Sequence, residues 1–483
     1  MPVLEERGRF WWEDMPVREG HFAPEESITG MLTIDDDGRI ALDLDDYFPN
    51  KHGPWGLLAQ QGAPITKTLC GILRTTNRRV MLIGVASGGG QVRSAGISYQ
   101  RFIATDCLVG NVIALPDQSP FTFDRMEIDL TGLEEWFWFR SINVSRSGDD
   151  QINAEYKRPD TVKYELDDGT LQFEFDVVGS IPFNGLADEI AMKEKASAIF
   201  QAAKRETLEQ LRDRFRFLED LLILLTDSEY QLAWPVIQLD ASNKFTWYFA
   251  RLKNKNAADP PQRHECLTHF PRLRDSFGSL WSSWKRKRED FGPGFYLYLG
   301  TRRGFSLYEE HRFVNLIWGI EAFHRTKYPA NSDEMKPRIE NIVAQISEPN
   351  DKKLVKRGLK YAHEPRLEER IFSTFKDLPI GLDSSRLRRF AKSCADARND
   401  ISHFGARRHG SAYSDFVLGL AKKSRALSTL YHCLLLQEIG VNEEIIRNWT
   451  SKGWGSFRIK HSFVEVGLVD KEVLKPDIPK GLT

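Results

Sequence analysis

Cysteine is scarce in this sequence, and neither sign of charge predominates. The five cysteines are odd in number and widely separated, which excludes a disulfide framework and favours a reducing compartment. They are Cys70, Cys107, Cys266, Cys394 and Cys433. Lysine and arginine total 67 against 68 aspartates and glutamates, so the formal net charge is −1. The chain therefore lacks the global basic field that recruits nucleic acid, and any such binding must use local patches.

Long apolar runs are also lacking. Runs such as residues 221–225 are far too short to cross a bilayer, and the acidic N-terminus lacks the apolar segment of a signal peptide. We therefore expect a cytoplasmic protein that does not bind membranes. The composition, 41% hydrophobic and 28% charged, is typical of a soluble globular protein, and 483 residues are enough for two or three domains.

The first half of the chain has the alternating pattern of β-strands. Apolar and polar residues alternate in 32–34 and again in 40–44, and Asp37-Gly38 between them is a turn signal. The same pattern recurs in residues 162–177 around a second Asp-Gly turn. Further strand candidates are residues 80–85, 96–104 and 121–130. Helical patterns do not alternate with these strands, so we predict an antiparallel, sandwich-like sheet rather than a parallel α/β fold.

The apolar period changes near residue 186. Leucine and phenylalanine then recur every three or four residues up to Leu225, which predicts a helix over about 187–226. Residues 234–252 are a candidate return to the sheet. The polar segment 254–261 ends in two prolines, a composition that favours a linker.

After the linker the sequence is nearly all helical. Amphipathic stripes fall within residues 313–323, 387–401 and 416–434. Gly440 then marks a helix end, and Asn442 is a candidate cap of a short last helix. Consecutive long amphipathic helices predict an antiparallel bundle.

Together these patterns predict the fold class and the domain boundaries. The protein is expected to be α+β, with an N-terminal antiparallel β-sandwich-like domain followed by a C-terminal all-α bundle. The β-rich domain, which includes the predicted helix, spans residues 1–260. The bundle spans residues 261–455, and residues 456–483 form a C-terminal tail.

A polar segment late in one helical stripe carries the residue types needed to cut RNA without a metal. Residues 397–405 read Ala-Arg-Asn-Asp-Ile-Ser-His-Phe-Gly. At about 100° per residue, Asn399 and His403 lie only about 40° apart on a helix, and the long side chain of Arg398 can swing to the same side. Gly405 is a candidate helix end, and the helix dipole there favours a protonated histidine.

These groups suit attack by the ribose 2′-OH on the neighbouring phosphate. His403 would exchange a proton with that hydroxyl or with the leaving 5′-oxygen, Arg398 would stabilise the phosphoryl oxygens, and Asn399 would orient the backbone or the histidine. Such attack leaves a 2′,3′-cyclic phosphate on the RNA. We predict that the reaction uses no metal and no other cofactor. Arg407 and Arg408 follow at once and are candidates for lining the site.

The spacing from arginine to histidine is not specific on its own. Similar spacings occur from Arg263 to His269, from Arg357 to His363 and from Arg425 to His432. The alternative interpretation of the motif is a surface arginine and a histidine that satisfies a carbonyl at the end of its helix.

Arg-Asn-x-x-x-His late in a C-terminal helical bundle resembles the motif of the HEPN superfamily of ribonucleases. The opening Gly-Arg-Phe-Trp-Trp of residues 8–12, followed by the hairpin at 30–44, is similar to the N-terminal domain of ApeA-type anti-phage HEPN proteins. The helix at 313–324, with Glu321 and then His324, resembles the entry to their bundle. The resemblance covers most of the chain, in the family's domain order, and identifies the C-terminal bundle as a HEPN domain.

The resemblance implies that the protein acts in abortive infection and that its HEPN domain cleaves RNA. It also implies that tRNA anticodon loops are the expected substrate class. HEPN domains usually form homodimers in which two motifs face each other, and such a pair would supply the two histidines that acid and base roles require. Glu321 is a candidate for lining that cleft, and the alternative is an ordinary helix-surface carboxylate. We also expect the N-terminal domain to hold the nuclease inactive until a phage-derived trigger arrives.

Two further interpretations stay open. A basic run beside two tryptophans is a candidate RNA-binding surface, with a solvated helix face as the alternative. The run is Lys285, Arg286, Lys287 and Arg288, and the tryptophans are Trp281 and Trp284. The rival function for the whole chain is a non-catalytic dimeric regulator that uses the HEPN bundle to bind RNA or a protein.

Overall fold

The structure is a computed structural model of the chain. It describes residues 2–48, 64–65, 67–91, 93, 96–111, 121–148, 151–180, 190–240, 243–251, 259–303, 307–328, 335–359, 364–404, 412–452 and 454–474. Most of the predicted linker at 254–261 lies outside these residues.

The chain divides into two compact units. The first comprises Met1–Glu134, Phe139–Glu219 and Gln231–Ala257. The second comprises Glu135–Trp138, Asp220–Tyr230 and Ala258–Thr483. The first unit is β-rich and the second is helical, so the predicted α+β class is confirmed.

The strands are numbered in chain order. They are β1 Pro2–Trp12, β2 Ile28–Asp35, β3 Ile40–Leu44, β4 Pro64–Ile65, β5 Leu69–Leu73, β6 Arg79–Ile83, β7 Val85–Gln91, β8 Tyr99–Ala104, β9 Asp106–Gly110, β10 Thr122–Asp129, β11 Ile142–Ser147, β12 Gln151–Tyr156, β13 Val162–Leu166, β14 Gly169–Ser180, β15 Ala191–Thr207, β16 Val236–Gln238 and β17 Lys244–Phe249.

The helices are numbered in the same way. They are α1 Glu134–Phe137, α2 Leu208–Thr226, α3 Phe270–Leu273, α4 Phe277–Asp290, α5 Gly292–Arg302, α6 Glu309–Lys327, α7 Met335–Ala344, α8 Pro349–Gly358, α9 Leu367–Phe375, α10 Ser384–Phe404, α11 Tyr413–Ile439, α12 Glu443–Ser451 and α13 Trp454–Glu465, with a final 3-10 turn at Lys471–Leu474. Among the described residues, no helix combines the length and the apolar character that crossing a bilayer requires.

Antiparallel pairing joins the strands of the first unit. Of the described strands, fifteen form one hydrogen-bonded sheet in the order β13-β14-β15-β10-β16-β17-β9-β6-β5-β1-β2-β3-β8-β7-β4, and β11 pairs with β12 separately. The predicted hairpin β2–β3 buries Leu32, Ile34 and Leu42 on one face. Gly38 in its turn has φ +78°, and an added Cβ would lie only 1.9 Å from the Phe249 oxygen, so only glycine fits there.

The helix predicted over about 187–226 is half wrong. Residues 191–207 form the strand β15, and the helix α2 begins only at Leu208. Alanine, lysine and glutamate in this segment favour a helix locally, but β14 and β10 pair with its backbone on both sides. Burial of Ala198 and Phe200 in the sheet then outweighs the local preference.

Two early segments of the chain complete the core of the helical unit. Trp136 and Phe137 of α1 contact Phe270 of α3, with ring centroids 5.5 and 5.1 Å apart. Asp220, near the end of α2, pairs with Arg288 of α4 at 3.0 Å. The helical unit is therefore not the contiguous bundle predicted for residues 261–455, because residues from before the linker belong to its packing.

The predicted end of the long helix α11 is confirmed, and another helix follows the predicted last one. Gly440 has φ +93° and donates its N–H to the Gln437 oxygen, as a helix-ending glycine should. The Asn442 side chain caps α12 by accepting from the Glu444 N–H at 2.8 Å. Residues 456–465, predicted as the start of a tail, are helical in α13, because Ile459 and Phe463 bury one face.

Candidate functional site

The predicted motif lies in the last turns of α10, whose inner face is apolar. The predicted stripe is buried at Leu387, Phe390, Cys394 and Ala397 and half-buried at Ile401. Arg398 and Asn399 are half-buried, which places them at the border between this apolar face and solvent. A border position allows a side chain to be held by its surroundings and still meet a ligand.

The guanidinium of Arg398 is positioned by its neighbour. Its Nη1 donates to the Asn399 Oδ1 at 3.4 Å, a long hydrogen bond that links the first two residues of the motif. Its Nε is buried and has no hydrogen-bond partner within the described part of the chain. No carboxylate among the described residues forms an ion pair with Arg398.

Other arginines of the helical unit contrast with Arg398. Arg386, on the same helix, binds Asp470 with two hydrogen bonds of 2.7 and 2.8 Å. Arg302 of α5 is 2.7 Å from the Asp227 carboxylate. These two cations are held in structural ion pairs, whereas Arg398 has no carboxylate partner among the described residues and can receive an anion from outside the chain.

The remaining motif residues are described only in part. Residue 403 lies within the bounds of α10, one helical turn beyond Asn399, but the side chain of His403 lies outside the described residues. Arg407, Arg408 and Gly405 also lie outside them. The structure therefore brings Arg398 and Asn399 together, and the roles of His403, Arg407 and Arg408 stay predictions.

Glu321 is held by two arginines. Its carboxylate lies 3.0 Å from Arg370 Nη1 of α9 and 3.1 Å from Arg325 Nη2 on its own helix, and Glu364 bridges the same two arginines. Among the described residues, no hydrogen bond joins Glu321 to Arg398 or Asn399. This environment is that of a packing ion pair, and a role in lining the cleft stays a prediction.

Sequence reasoning missed this network because its members are far apart along the chain. Arg370 is only 5% exposed at its side chain and lies 49 residues after Glu321. His324, also in this region, is buried, and burial lowers its pKa, with the nearby Arg370 and Arg325 charges adding to the effect. No local pattern signals such a partner.

The basic run on α4 is divided between structural and exposed residues. Trp281 and Trp284 are buried in the core and so cannot stack on RNA bases. Arg288 pairs with Asp220 and Lys287 with Glu438, at 3.0 and 3.2 Å. Lys285 and Arg286 are exposed, and an RNA-binding role for the run stays a prediction.

Two of the similar arginine-to-histidine spacings end on histidines with structural hydrogen bonds. His269 lies 3.1 Å from the Arg263 oxygen, and its ring packs on Trp138. His432 is fully buried, with its Nε2 2.8 Å from the Leu224 oxygen and its Nδ1 2.7 Å from the Tyr298 hydroxyl. Neither is placed in the manner of an exposed acid–base group. Within the described residues, no cluster of three or more histidine, cysteine, aspartate or glutamate side chains suits a metal ion.

Comparison with protein families gives two matches in the predicted order. The family described as ApeA N-terminal domain 1 matches residues 5–284, more than half of the chain, and the family described as Apea-like HEPN matches residues 314–445. The second match contains all of α10, and with it the motif. Neither the comparison with curated proteins nor that with solved structures gave a match. The chain therefore belongs to the ApeA-type HEPN family, a nuclease family of anti-phage defence.

Proposed function

We propose that the protein is an anti-phage endoribonuclease that acts in abortive infection through Arg398, Asn399 and His403. HEPN domains are generally ribonucleases, and the matched segment contains the motif. In the proposed reaction the ribose 2′-OH attacks the adjacent phosphorus, the bond to the 5′-oxygen breaks, and the products carry a 2′,3′-cyclic phosphate and a 5′-OH. Neither a metal nor another cofactor takes part in this mechanism.

The observation that carries the proposal is the guanidinium of Arg398. It is half-buried, and within the described residues it has no carboxylate partner and leaves its Nε without a hydrogen bond. Charged donors that are already in place stabilise the developing charge on a phosphoryl group without a reorganisation cost during the reaction. Asn399, which accepts from Arg398, fixes the direction of this cation.

His403 supplies the proton transfer in this proposal. An imidazole titrates near neutral pH, so it can take the proton of the 2′-OH or protonate the leaving oxygen. One motif provides one histidine, whereas the two proton transfers use two groups. A homodimer through the HEPN bundle would bring a second motif to the same phosphate.

The substrate and the regulation belong to the same proposal. We infer RNA, with tRNA anticodon loops as the favoured class, as the target in the cytoplasm. The first unit would hold the nuclease inactive until a phage-derived trigger binds. This restraint is motivated by the two-unit organisation of the chain.

Cleavage of tRNA by the purified full chain tests the proposal, with an extract of phage-infected cells added as the source of the trigger and the same extract without the protein as the control. We expect His403→Ala to lower the rate by about 10²–10⁴-fold and Arg398→Ala by about 10²–10³-fold, with circular dichroism spectra unchanged. His461→Ala on α13 and Arg389→Ala on α10 remove the same residue types at exposed positions and should retain the wild-type rate.

The outcomes separate the proposal from its rival. A non-catalytic regulator would bind RNA and yield no product in any form of the protein. Equal cleavage by wild type and His403→Ala would place the chemistry elsewhere. Loss of cleavage in His461→Ala as well would point to a general effect of substitution rather than to the motif.

A further inference from the structure

A cationic cavity lies in the helical unit, and none of the described motif residues lines it. It has a volume of about 510 Å³ and is walled by α5, α6, α11, α12, α13 and the segment after α2. Among the described residues, none of α10 lines it. A volume of this size is in the range of about 300–1,000 Å³ found for small-molecule sites.

The cavity wall carries more positive than negative charge. Its described lining includes four arginines against two carboxylates. Both carboxylates, Asp227 and Glu229, are bound by Arg302 at 2.7 and 3.1 Å. Arg312 and Arg458 have no carboxylate partner among the described residues, so they supply positive charge that an anion can use.

Two buried polar atoms of the wall are left without hydrogen bonds. Ser424 is 1% exposed and its Oγ has no partner within the described residues, and the same holds for the buried Nε of Arg312. Three other hydroxyls of the wall bond within their own helices: Thr301 donates to the Tyr298 carbonyl, Thr429 to the Arg425 carbonyl and Ser462 to the Ile459 carbonyl. Leaving a buried polar group unpaired costs about 1–3 kcal/mol, a cost that a ligand with several acceptor oxygens would remove.

Two residues of the cavity wall, Arg302 and Trp449, are held by internal contacts. Arg302 is fixed by Asp227, by Glu229 and by the Tyr298 hydroxyl at 3.3 Å. Trp449, which also lines the cavity, packs on the buried ring of His432 with centroids 4.9 Å apart. A wall held in place in this way loses little conformational freedom when a ligand binds.

We propose that this cavity binds a phosphate-bearing small molecule, whose phosphate oxygens accept from Arg312, Arg458 and the Ser424 hydroxyl. Phosphate matches the site because its oxygens accept several hydrogen bonds at once and its charge is opposite to that of the two arginines. This site does not depend on the proposed ribonuclease activity, since none of the described motif residues belongs to it.

Isothermal titration calorimetry and thermal unfolding of the full chain test this site. The probes are inorganic phosphate, inorganic pyrophosphate and ATP, each at millimolar concentration and without RNA, and inorganic sulfate serves as the control anion. We expect at least one phosphate probe to bind and to raise the unfolding temperature. Arg312→Gln and Arg458→Gln should each weaken that binding by about tenfold or more.

Ser424→Ala gives the sharpest result. The unliganded protein should be as stable as wild type or more stable, because a buried unpaired hydroxyl is removed, yet affinity for the probe should fall several-fold. Arg357→Gln on α8 removes an exposed arginine outside the cavity and should leave binding unchanged. Arg458 and Ser424 keep the test decisive if Arg312→Gln fails to fold.

Three results would overturn the proposal. They are no binding of any phosphate probe, sulfate binding as tight as that of the best phosphate probe, and phosphate binding that Arg458→Gln and Ser424→Ala leave intact. None of them bears on RNA cleavage, so failure here and failure of the ribonuclease proposal are distinguishable.

Discussion

Acid should destabilise the helical unit through one buried histidine, His432. Its Nε2–H donates to the Leu224 oxygen at 2.8 Å, so Nδ1 is the acceptor for the Tyr298 hydroxyl at 2.7 Å. Arg302 Nη1 lies 3.2 Å from the same Nδ1. A proton on Nδ1 would lie beside the Arg302 guanidinium and would force the Tyr298 hydroxyl to turn from donor to acceptor, without access to water. Asp227 at 3.8 Å offsets this only in part.

Burial, with the Arg302 charge adding to it, lowers the pKa of His432 from 6.5 to about 4. Above pH 6.5 the imidazole is neutral in both states, and between 6.5 and about 4 only the unfolded chain takes up the proton. The free energy of unfolding therefore falls as the pH is lowered through this window. The total loss is about 3 kcal/mol, at about 1.4 kcal/mol for each pH unit.

Urea unfolding of the full chain, followed by circular dichroism at pH steps from 7 to 4, measures this effect. His432→Gln keeps an amide that can donate to Leu224 and accept from Tyr298, but it removes the titrating group. Its profile should be shallower than that of wild type by about 2–3 kcal/mol across the window. His461→Gln, at an exposed histidine, should keep the wild-type slope. Parallel profiles for wild type and His432→Gln would refute the reasoning.

Three further predictions concern the ion pairs, the sheet and the thiols. Arg370→Ala should lower the free energy of unfolding by about 3–5 kcal/mol, because Glu321 and Glu364 would lose a buried partner. Arg325→Ala removes an exposed partner of the same carboxylates and should lower it by about 0–1 kcal/mol. Urea unfolding of both variants measures the difference. Gly38→Ala should lower the stability of the sheet unit, because the added Cβ would meet the Phe249 oxygen. If the first unit restrains the nuclease, this variant should also raise RNA cleavage. Unchanged cleavage in a measurably destabilised variant would count against restraint. Iodoacetamide should modify Cys266 first, and mass spectrometry of the native protein should find the other four cysteines unlabelled because they are buried. Burial raises the pKa of the Cys266 thiol to about 12, so its own labelling should be slow at neutral pH.

Local patterns were sufficient to predict most elements of the fold. Alternation and turn residues predicted the hairpin β2–β3, and the apolar stripe predicted the buried face of α10. They failed at β15, where helix-favouring residues form a strand because partners on both sides pair with its backbone. One of these partners, β10, ends at Asp129, far from the start of β15 at Ala191, so no local window contains the whole pairing.

Local patterns also could not predict which segments of the chain belong to the helical unit. Trp136 contacts Phe270, and Asp220 pairs with Arg288. In both pairs the two residues lie on opposite sides of the predicted linker. This packing has a practical consequence for truncation experiments. A fragment that starts near residue 260 would lack core residues of its own unit, so tests of restraint are better made with substitutions in the full chain.

The sequence was sufficient to predict which residue types form the candidate site. It was not sufficient to predict which other residues surround them. The order Arg-Asn-x-x-x-His is visible in the sequence, and helix geometry places Asn399 and His403 on one side. That Arg398 has no described carboxylate partner, while Arg386 on the same helix is bound by Asp470, depends on residues far away in sequence. The same limit applies to Ser424, because no sequence pattern signals that its hydroxyl finds no partner among the described residues.

The chemical identity of the RNA ends tests the central claim most directly. Mass spectrometry of the fragments that the full chain makes when an extract of phage-infected cells supplies the trigger should find 2′,3′-cyclic phosphate and 5′-OH ends. Neither end should rise above the level of the extract alone with His403→Ala. A substrate with a single 2′-deoxyribose at the cleaved position should stay intact. Fragments ending in 3′-OH and 5′-phosphate, or the same cyclic ends from His403→Ala, would contradict cleavage by the 2′-OH under the control of this histidine.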